Sequence, residues 1–163
     1  MSATDELVAA NESFASSFSG ANLAGPPSRH VAVVACMDAR LDVYRALGLG
    51  DGEAHVIRNA GGVVTDDVVR SLAISQRKLG TTEVVLVHHT RCGMTTFADD
   101  EFAAELESEC GERPPWAPGA FGDTEQDVRD SLAAVRANPF LPHTDAVRGF
   151  VYDVDTGALT EVT

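Results

Sequence analysis

The stretch VAVVACMDAR, residues 31–40, decides the fold of this chain. Its first five residues are apolar without a break, a pattern that indicates a short strand buried on both faces of a parallel sheet. The apolar run ends at Ala35, so we expect the strand to end there and Cys36 to follow it. In open parallel sheets, ligands bind beyond the carboxyl ends of the strands. Residues 36–40 are therefore a candidate functional loop.

The β-branched pair Val56 and Ile57 within residues 54–57 predicts a second strand, and the apolar run at 84–87 predicts a third. Between them, Thr65 is a good helix N-cap, apolar residues follow at helical spacing, and Gly80 stands where a helix end favours glycine. The remaining pattern predicts helices over 3–18, 41–47, 99–109 and 124–137, and a terminal hairpin of 149–154 with 159–162.

This alternation of strands and helices predicts an α/β fold: one domain over residues 1–163, with a mostly parallel central sheet flanked by helices and a C-terminal hairpin strand. Residues 1–27 are expected to form an N-terminal helical arm, because the Gly-Pro-Pro at 25–27 separates the first helix from the first strand.

Composition excludes several classes of function. The net charge of −13 argues against nucleic acid and against anionic membrane surfaces as partners. No apolar run approaches the roughly 20 residues that span a bilayer. Residues 1–20 lack the basic start and apolar middle of a secretory signal, so we expect a cytoplasmic protein. Three cysteines without an export signal do not indicate disulfide bonds.

The positions of two of the cysteines along the chain indicate a chemical role for them. His89 and Cys92 stand three residues apart directly after the third predicted strand, and Cys36 follows the first. If these strands are neighbours, their ends bring the three side chains together. Two thiolates and one imidazole suit Zn²⁺, and an open fourth position is typical of a catalytic site. From the residues alone, Cys36 could equally be a small core residue at a strand end.

Three segments carry a family resemblance: CMDAR at 36–40, RNAGG at 58–62 and HTRCG at 89–93. They resemble the signature blocks of the β-class carbonic anhydrases in order and separation. The resemblance runs from about Ser28 onward and is closest to the short bacterial members, including mycobacterial ones. It implies a homodimer or higher even oligomer with one Zn²⁺ per subunit. The implied residues are the ligands Cys36, His89 and Cys92, the catalytic dyad Asp38 and Arg40, and the pocket residues Asn59 and Gly61.

The implied reaction is reversible hydration of CO₂ to bicarbonate and a proton, through attack of zinc hydroxide on the substrate carbon. Asp38 could orient the zinc-bound water, or could itself occupy the fourth ligand position and close the site. Arg40 could hold that carboxylate away from zinc through a bidentate pair. Because two thiolates cancel the formal charge of Zn²⁺, we expect activity to favour alkaline pH.

Two alternative functions remain open from the sequence. The same blocks also resemble carbonyl sulfide hydrolase, a member of the same family that would release H₂S and CO₂. A non-catalytic zinc-binding protein is the second alternative. His88 is not expected to bind the ion that His89 binds, because successive strand residues point to opposite faces. Cys110 is expected to be a bystander thiol.

Overall fold

The computed structural model describes residues 2–20 and 22–163 as an α/β fold with a five-stranded sheet in the order β2-β1-β3-β4-β5. Strands β1 to β4 are parallel, and β5 pairs antiparallel with β4, which confirms the predicted fold class and the terminal hairpin. The first strand of the hairpin was predicted over 149–154 and lies at Val147–Tyr152, so its bounds were wrong by two residues at each end. The elements are α1 (Ala3–Ser17), β1 (Val31–Cys36), α2 (Val43–Leu47), β2 (Ala54–Asn59), α3 (Asp66–Leu79), β3 (Glu83–His89), α4 (Asp99–Cys110), α5 (Thr124–Arg136), β4 (Val147–Tyr152) and β5 (Leu159–Val162).

Strand β1 lies between β2 and β3 and ends at Cys36, one residue later than predicted. It pairs with β2 on one side and β3 on the other, with Cys36 opposite Asn59 and Ala35 opposite Val87. The predicted neighbour relation of the first and third strands is therefore confirmed. It brings the segments after Cys36 and around His89 to the same edge.

Strand β3 extends further than its apolar run indicates. The prediction that His89 follows the strand is wrong in this detail, because His88 and His89 are the last two residues of β3 and pair with Val151 and Tyr152. The parallel ladder to β4 continues past the apolar run. Both imidazoles are fully buried, so two polar residues complete a strand that lies inside the protein.

The two faces of the sheet are covered differently. Helices α3 and α5 pack on the face that carries Val34 and Leu86, whereas α2 packs on the face that carries Val33 and Val87. Because side chains alternate along a strand, His88 belongs to the face of α5 and His89 to the opposite face.

Helix boundaries follow their capping residues. The Thr65 hydroxyl accepts a hydrogen bond from the N–H of Val68 at 3.3 Å, and Gly80 ends α3 in the left-handed conformation with φ of 73°, both as predicted. Helix α2 begins at Val43 rather than at Leu41, because the Asp42 side chain caps it by accepting from the N–H of Arg45.

Helix α1 stands apart from the rest of the fold. Against the described part of the chain it buries none of its residues, and a capping box between Ser2 and Asp5 starts it. Its large apolar side chains are exposed, together with that of Phe18, which caps its end: Leu7, Val8, Phe14 and Phe18. Among the described residues, no helix combines the length and the apolar character needed to cross a membrane.

Candidate metal centre

Three potential metal ligands converge at the carboxyl ends of β1 and β3. The ligand atoms of Cys36, His89 and Cys92 all lie within 4.8 Å of one another. These side chains are almost inaccessible to solvent, with exposed fractions of 3%, 0% and 2%. Cys36 ends β1, His89 ends β3, and Cys92 lies in the turn that follows. The three residues that the sequence predicts to be neighbours are therefore close together in the structure.

The geometry of these atoms fits a tetrahedral metal ion. The Sγ atoms of Cys36 and Cys92 are 4.0 Å apart, too far for a disulfide bond. Two thiolates each about 2.3 Å from a tetrahedral Zn²⁺ lie about 3.8 Å apart, close to the observed separation.

The imidazole of His89 presents a free nitrogen to the two thiols. Its Nδ1 donates a hydrogen bond to the carbonyl oxygen of Thr90 at 2.9 Å, so in the neutral ring Nε2 carries a lone pair. Within the described residues this buried Nε2 has no hydrogen-bond partner. Because a buried polar atom without a partner is costly, the orphaned Nε2 beside two thiols fits a metal ligand.

Contact between the two thiols shifts their pKa values in opposite directions. The hydrogen bond from Cys92 is the main cause that lowers the pKa of Cys36 to about 4. The same contact is the main cause that raises the pKa of Cys92. The thiolate form is therefore favoured at Cys36 and disfavoured at Cys92, and a cation bound between the two sulfurs would stabilise both as thiolates. For His89, burial lowers the pKa, but the neighbouring Cys36 and the Thr90 carbonyl together raise it.

Asp38 and Arg40 form a bidentate pair beside the ligands. Asp38 Oδ1 accepts from Nε of Arg40 at 2.9 Å, and Oδ2 accepts from Nη2 at 2.7 Å. These hydrogen bonds are the main cause that holds the pKa of Asp38 well below its usual range. Oδ2 also lies 3.6 Å from Nε2 of His89, so the carboxylate faces the ligand set while it remains paired.

A glycine turn, formed by Gly61 and Gly62, packs closely against the backbone of Cys36. A Cβ atom on Gly62, whose φ is 74°, would lie 2.8 Å from the backbone nitrogen of Cys36. The predicted pocket residues lie in the same turn. Gly61 faces Met94 and Phe121, and the side chain of Asn59 donates to Val63 O at 2.9 Å, which holds the turn.

Two side chains near the site, those of Arg58 and His88, make polar contacts that the sequence does not predict. Arg58 donates to the carbonyl oxygens of Cys36, at 2.9 and 2.8 Å, and of Asp38, at 2.8 Å. His88, on the opposite face of β3, binds Asp127 of α5 through Nε2 at 2.6 Å. No sequence signal pairs His88 with Asp127, because they are 39 residues apart.

Similarity to known proteins agrees with this site. A family model described as carbonic anhydrase matches residues 31–116. The chain is 59% identical over 163 residues to a protein named beta-carbonic anhydrase 1 from Mycobacterium tuberculosis, covering 100% of this chain and 99% of that one. It is 37% identical to a carbon disulfide hydrolase from Acidithiobacillus thiooxidans, covering 82% of this chain and 77% of that one.

The fold is also similar to that of a solved structure. The crystal structure of a carbonic anhydrase from Streptococcus mutans superimposes with a TM-score of 0.93 at 43% identity, covering 100% of this chain and 99% of the other. The matched family model includes the Cys36, His89 and Cys92 cluster. The resemblance stated from the three sequence blocks is confirmed, and the chain belongs to the β-carbonic anhydrase family.

Proposed function

We propose that this protein is a zinc enzyme that reversibly hydrates CO₂ to bicarbonate and a proton. One observation carries the proposal: the orphaned Nε2 of His89 faces the thiols of Cys36 and Cys92, beside a carboxylate that an arginine holds in place. Membership of the β-carbonic anhydrase family and 59% identity to a beta-carbonic anhydrase support the reaction.

Cys36, His89 and Cys92 would hold one Zn²⁺ per subunit. Sulfur and nitrogen donors in a closely spaced set suit this ion better than Mg²⁺ or Ca²⁺, which prefer oxygen ligands. When bound, Zn²⁺ supplies Lewis acidity that turns water into a nucleophile. With only three protein ligands, a fourth position is left for the reacting molecules.

Asp38 orients the reacting water. Its Oδ2 faces the ligand set, and an ionised carboxylate can only accept hydrogen bonds. Arg40 already donates three hydrogen bonds to this group, from its backbone N–H, Nε and Nη2. A carboxylate so engaged is a poor base, so we assign it orientation of the water and not uptake of the proton, which passes to solvent or buffer.

Arg40 keeps the fourth position open. Bidentate pairing engages both oxygens of Asp38 with the guanidinium, which supports an open rather than a closed site. Without this pair, the same carboxylate could swing onto the metal as a fourth ligand.

The opposite wall of the site is apolar. Met94, Phe97 and Phe121 pack with the two ligand cysteines, and Gly61 lies close against Met94 and Phe121. A linear molecule without charge, such as CO₂, suits such a wall. Asn59 and Gly61 shape the pocket in this proposal, since a larger side chain at Gly61 would meet Met94 and Phe121 at 3.2 Å.

Carbonyl sulfide is the second candidate substrate. A relative at 37% identity is named a carbon disulfide hydrolase, so attack on sulfur-containing analogues of CO₂ occurs close to this chain in sequence. A non-catalytic zinc protein is the third candidate, and the intact Asp38–Arg40 pair argues against it.

Stopped-flow measurement of CO₂ hydration, paired with sulfide release from carbonyl sulfide, tests the proposal on the purified zinc-loaded chain. We expect CO₂ to be the faster substrate and Asp38→Asn to slow it without loss of zinc. Faster turnover of carbonyl sulfide would favour the second candidate. A zinc-loaded protein inactive on both substrates would favour the third.

We also propose that the enzyme is a homodimer or a higher even oligomer in the cytoplasm. Helix α1, within the proposed arm over residues 1–27, supports the assembly, because its exposed Leu7 and Phe14 have no cover within the described chain. Light scattering should give a dimer or larger for the wild type. A Leu7→Ser/Phe14→Ser variant should dissociate, whereas the control Glu12→Ala should not.

A further inference from the structure

We infer that Thr90 and Arg91 form a positioning segment for the metal centre, and that the turn of the β4–β5 hairpin holds this segment from behind. The inference rests on the metal site of the proposed function but not on the identity of the substrate. It concerns residues whose side chains do not reach the ligand atoms and act instead through the backbone between His89 and Cys92.

One side of this segment is bound to the hairpin. The N–H of Thr90 donates to the carbonyl of Tyr152 at 2.9 Å, and the Thr90 hydroxyl accepts from the N–H of Val154 at 3.1 Å. The guanidinium of Arg91 pairs with the carboxylate of Asp155. Three consecutive contacts therefore join residues 90–91 to residues 152–155.

The turn that provides these contacts is itself braced. The Asp153 carboxylate accepts from the N–H groups of Asp155 and Thr156 at 2.8 and 3.0 Å, and its carbonyl accepts from Gly157 at 2.8 Å. A turn closed by side-chain and backbone hydrogen bonds has few alternative conformations. The hairpin can thus serve as a rigid support.

The other side of the segment faces the metal centre. The carbonyl of Thr90 accepts from Nδ1 of His89 at 2.9 Å and so leaves the lone pair of Nε2 directed at the thiols. The carbonyl of Arg91 accepts from Nη2 of Arg40 at 3.0 Å, the same nitrogen that binds Asp38. Two successive carbonyl groups therefore orient one metal ligand and the arginine of the dyad.

The backbone of Arg91 needs this support. Its φ is 53°, in the left-handed region that residues other than glycine seldom adopt. This conformation reverses the chain between His89 and Cys92, so that both side chains reach one ion. Strained residues persist where surrounding contacts determine them, and they concentrate at functional sites. Here those contacts come from the hairpin and from Arg40.

Metal affinity of the full chain tests the inference. Thr90→Val keeps the shape of the side chain but removes the acceptor for Val154. Groups that orient a metal-binding histidine typically affect metal affinity by about 10–100-fold. We expect Thr90→Val to weaken Zn²⁺ binding by about 10-fold, measured by competition with a chromogenic chelator, and to shift the absorption bands of the Co²⁺-loaded protein. Thr90→Ser, which restores the hydroxyl, should recover most of the affinity.

Thr65→Val is the matched control. It also removes a threonine hydroxyl that accepts a backbone N–H, at the start of α3, where the partner is Val68 and not a residue of the metal centre. It should lower thermal stability without changing Zn²⁺ affinity or the Co²⁺ spectrum. A general loss of stability would move both variants alike, whereas a positioning role moves only Thr90→Val.

The inference is overturned if Thr90→Val binds Zn²⁺ as tightly as the wild type, or no more weakly than Thr65→Val. Should Thr90→Val not fold, Asp153→Ala decides the matter, because it loosens the exposed turn from the far side. We expect a smaller loss of metal affinity, and unchanged affinity overturns the inference. A wild-type chain that binds no metal would instead overturn the proposed function itself.

Discussion

Gly62 offers the sharpest test of how the glycine turn shapes the metal centre, through the substitution Gly62→Ala. An added Cβ would lie 2.8 Å from the backbone nitrogen of Cys36, 3.0 Å from the carbonyl carbon of Ala35 and 3.2 Å from the carbonyl oxygen of Val87. All three atoms belong to the backbone of β1 or β3. They cannot move without disturbing the central ladder of the sheet.

Two costs add in this variant. Placing a non-glycine residue at a φ of 74° costs about 1–2 kcal/mol, and overpacking of a filled site costs about 1–3 kcal/mol. The expected loss in the free energy of unfolding is therefore about 3 kcal/mol. For a chain of this size, that loss lowers Tm by about 6–12 °C. Because the clash falls on Cys36, we also expect a loss of CO₂ hydration in the surviving folded protein.

Two other glycines separate these costs. At Gly48, with φ of 62°, an added Cβ meets nothing within 4 Å, so Gly48→Ala should cost only the conformational term of about 1–2 kcal/mol. Gly93 follows the ligand Cys92, and there too an added Cβ meets nothing within 4 Å. Because its φ is not positive, Gly93→Ala should stay within about 0.5 kcal/mol of the wild type.

Thermal unfolding of the metal-free proteins and CO₂ hydration by the zinc-loaded proteins provide the measurements. The order of stability should be Gly93→Ala, then Gly48→Ala, then Gly62→Ala, with a loss of hydration in the last alone. The reasoning is refuted if Gly62→Ala is as stable as Gly48→Ala, or if it hydrates CO₂ at the wild-type rate.

Other predictions follow from the dyad, the ligand charges and the far face of β3. Arg40→Ala should lower activity more than zinc content, because it frees Asp38 without removing a ligand; equal losses would implicate metal binding or folding instead. Two thiolates make Zn²⁺ a weaker acid toward water, so the hydration rate should rise from about pH 6 to about pH 9, and a flat profile would contradict this charge argument. The lowered pKa of Asp38 keeps it ionised throughout that range, so its titration should not appear in the profile. Asp127→Ala leaves His88 buried without its partner, so it should destabilise the metal-free protein by about 1–3 kcal/mol, measured by denaturant unfolding. The Zn²⁺ affinity of this variant should be unchanged. A parallel loss of affinity would show that the two faces of β3 are coupled.

Local signals predicted the parts of the fold that depend on them. Helix α3 begins after Thr65 and ends before Gly80 as predicted, because its cap residues and its apolar spacing agree. The end of β3 was predicted too early, because the polar residues His88 and His89 indicated the start of a loop. In the structure they are buried and continue the pairing with β4. Pairing between strands is not visible in a single apolar run.

The candidate site also contains residues that local signals predicted and residues that they did not. Cys36, His89 and Cys92 could be selected from their residue types and their positions after two strands, since parallel strands end at one edge of a sheet. The residues that hold these ligands in position could not be selected in this way. Thr90 meets Val154, and Arg91 meets Asp155, each across 64 residues of sequence. Such contacts depend on the pairing of the terminal hairpin with β3, and no local pattern shows which strand a hairpin pairs with.

X-ray absorption at the zinc edge, together with zinc content per chain, tests the central claim most directly. The full-length protein should bind one Zn²⁺ per chain. The spectrum should show two sulfur ligands at about 2.3 Å and nitrogen or oxygen ligands at about 2.0–2.1 Å, with one sulfur lost in Cys36→Ser. A zinc ion with no more than one sulfur ligand, or a purified chain that binds no zinc, would contradict the assignment of Cys36, His89 and Cys92.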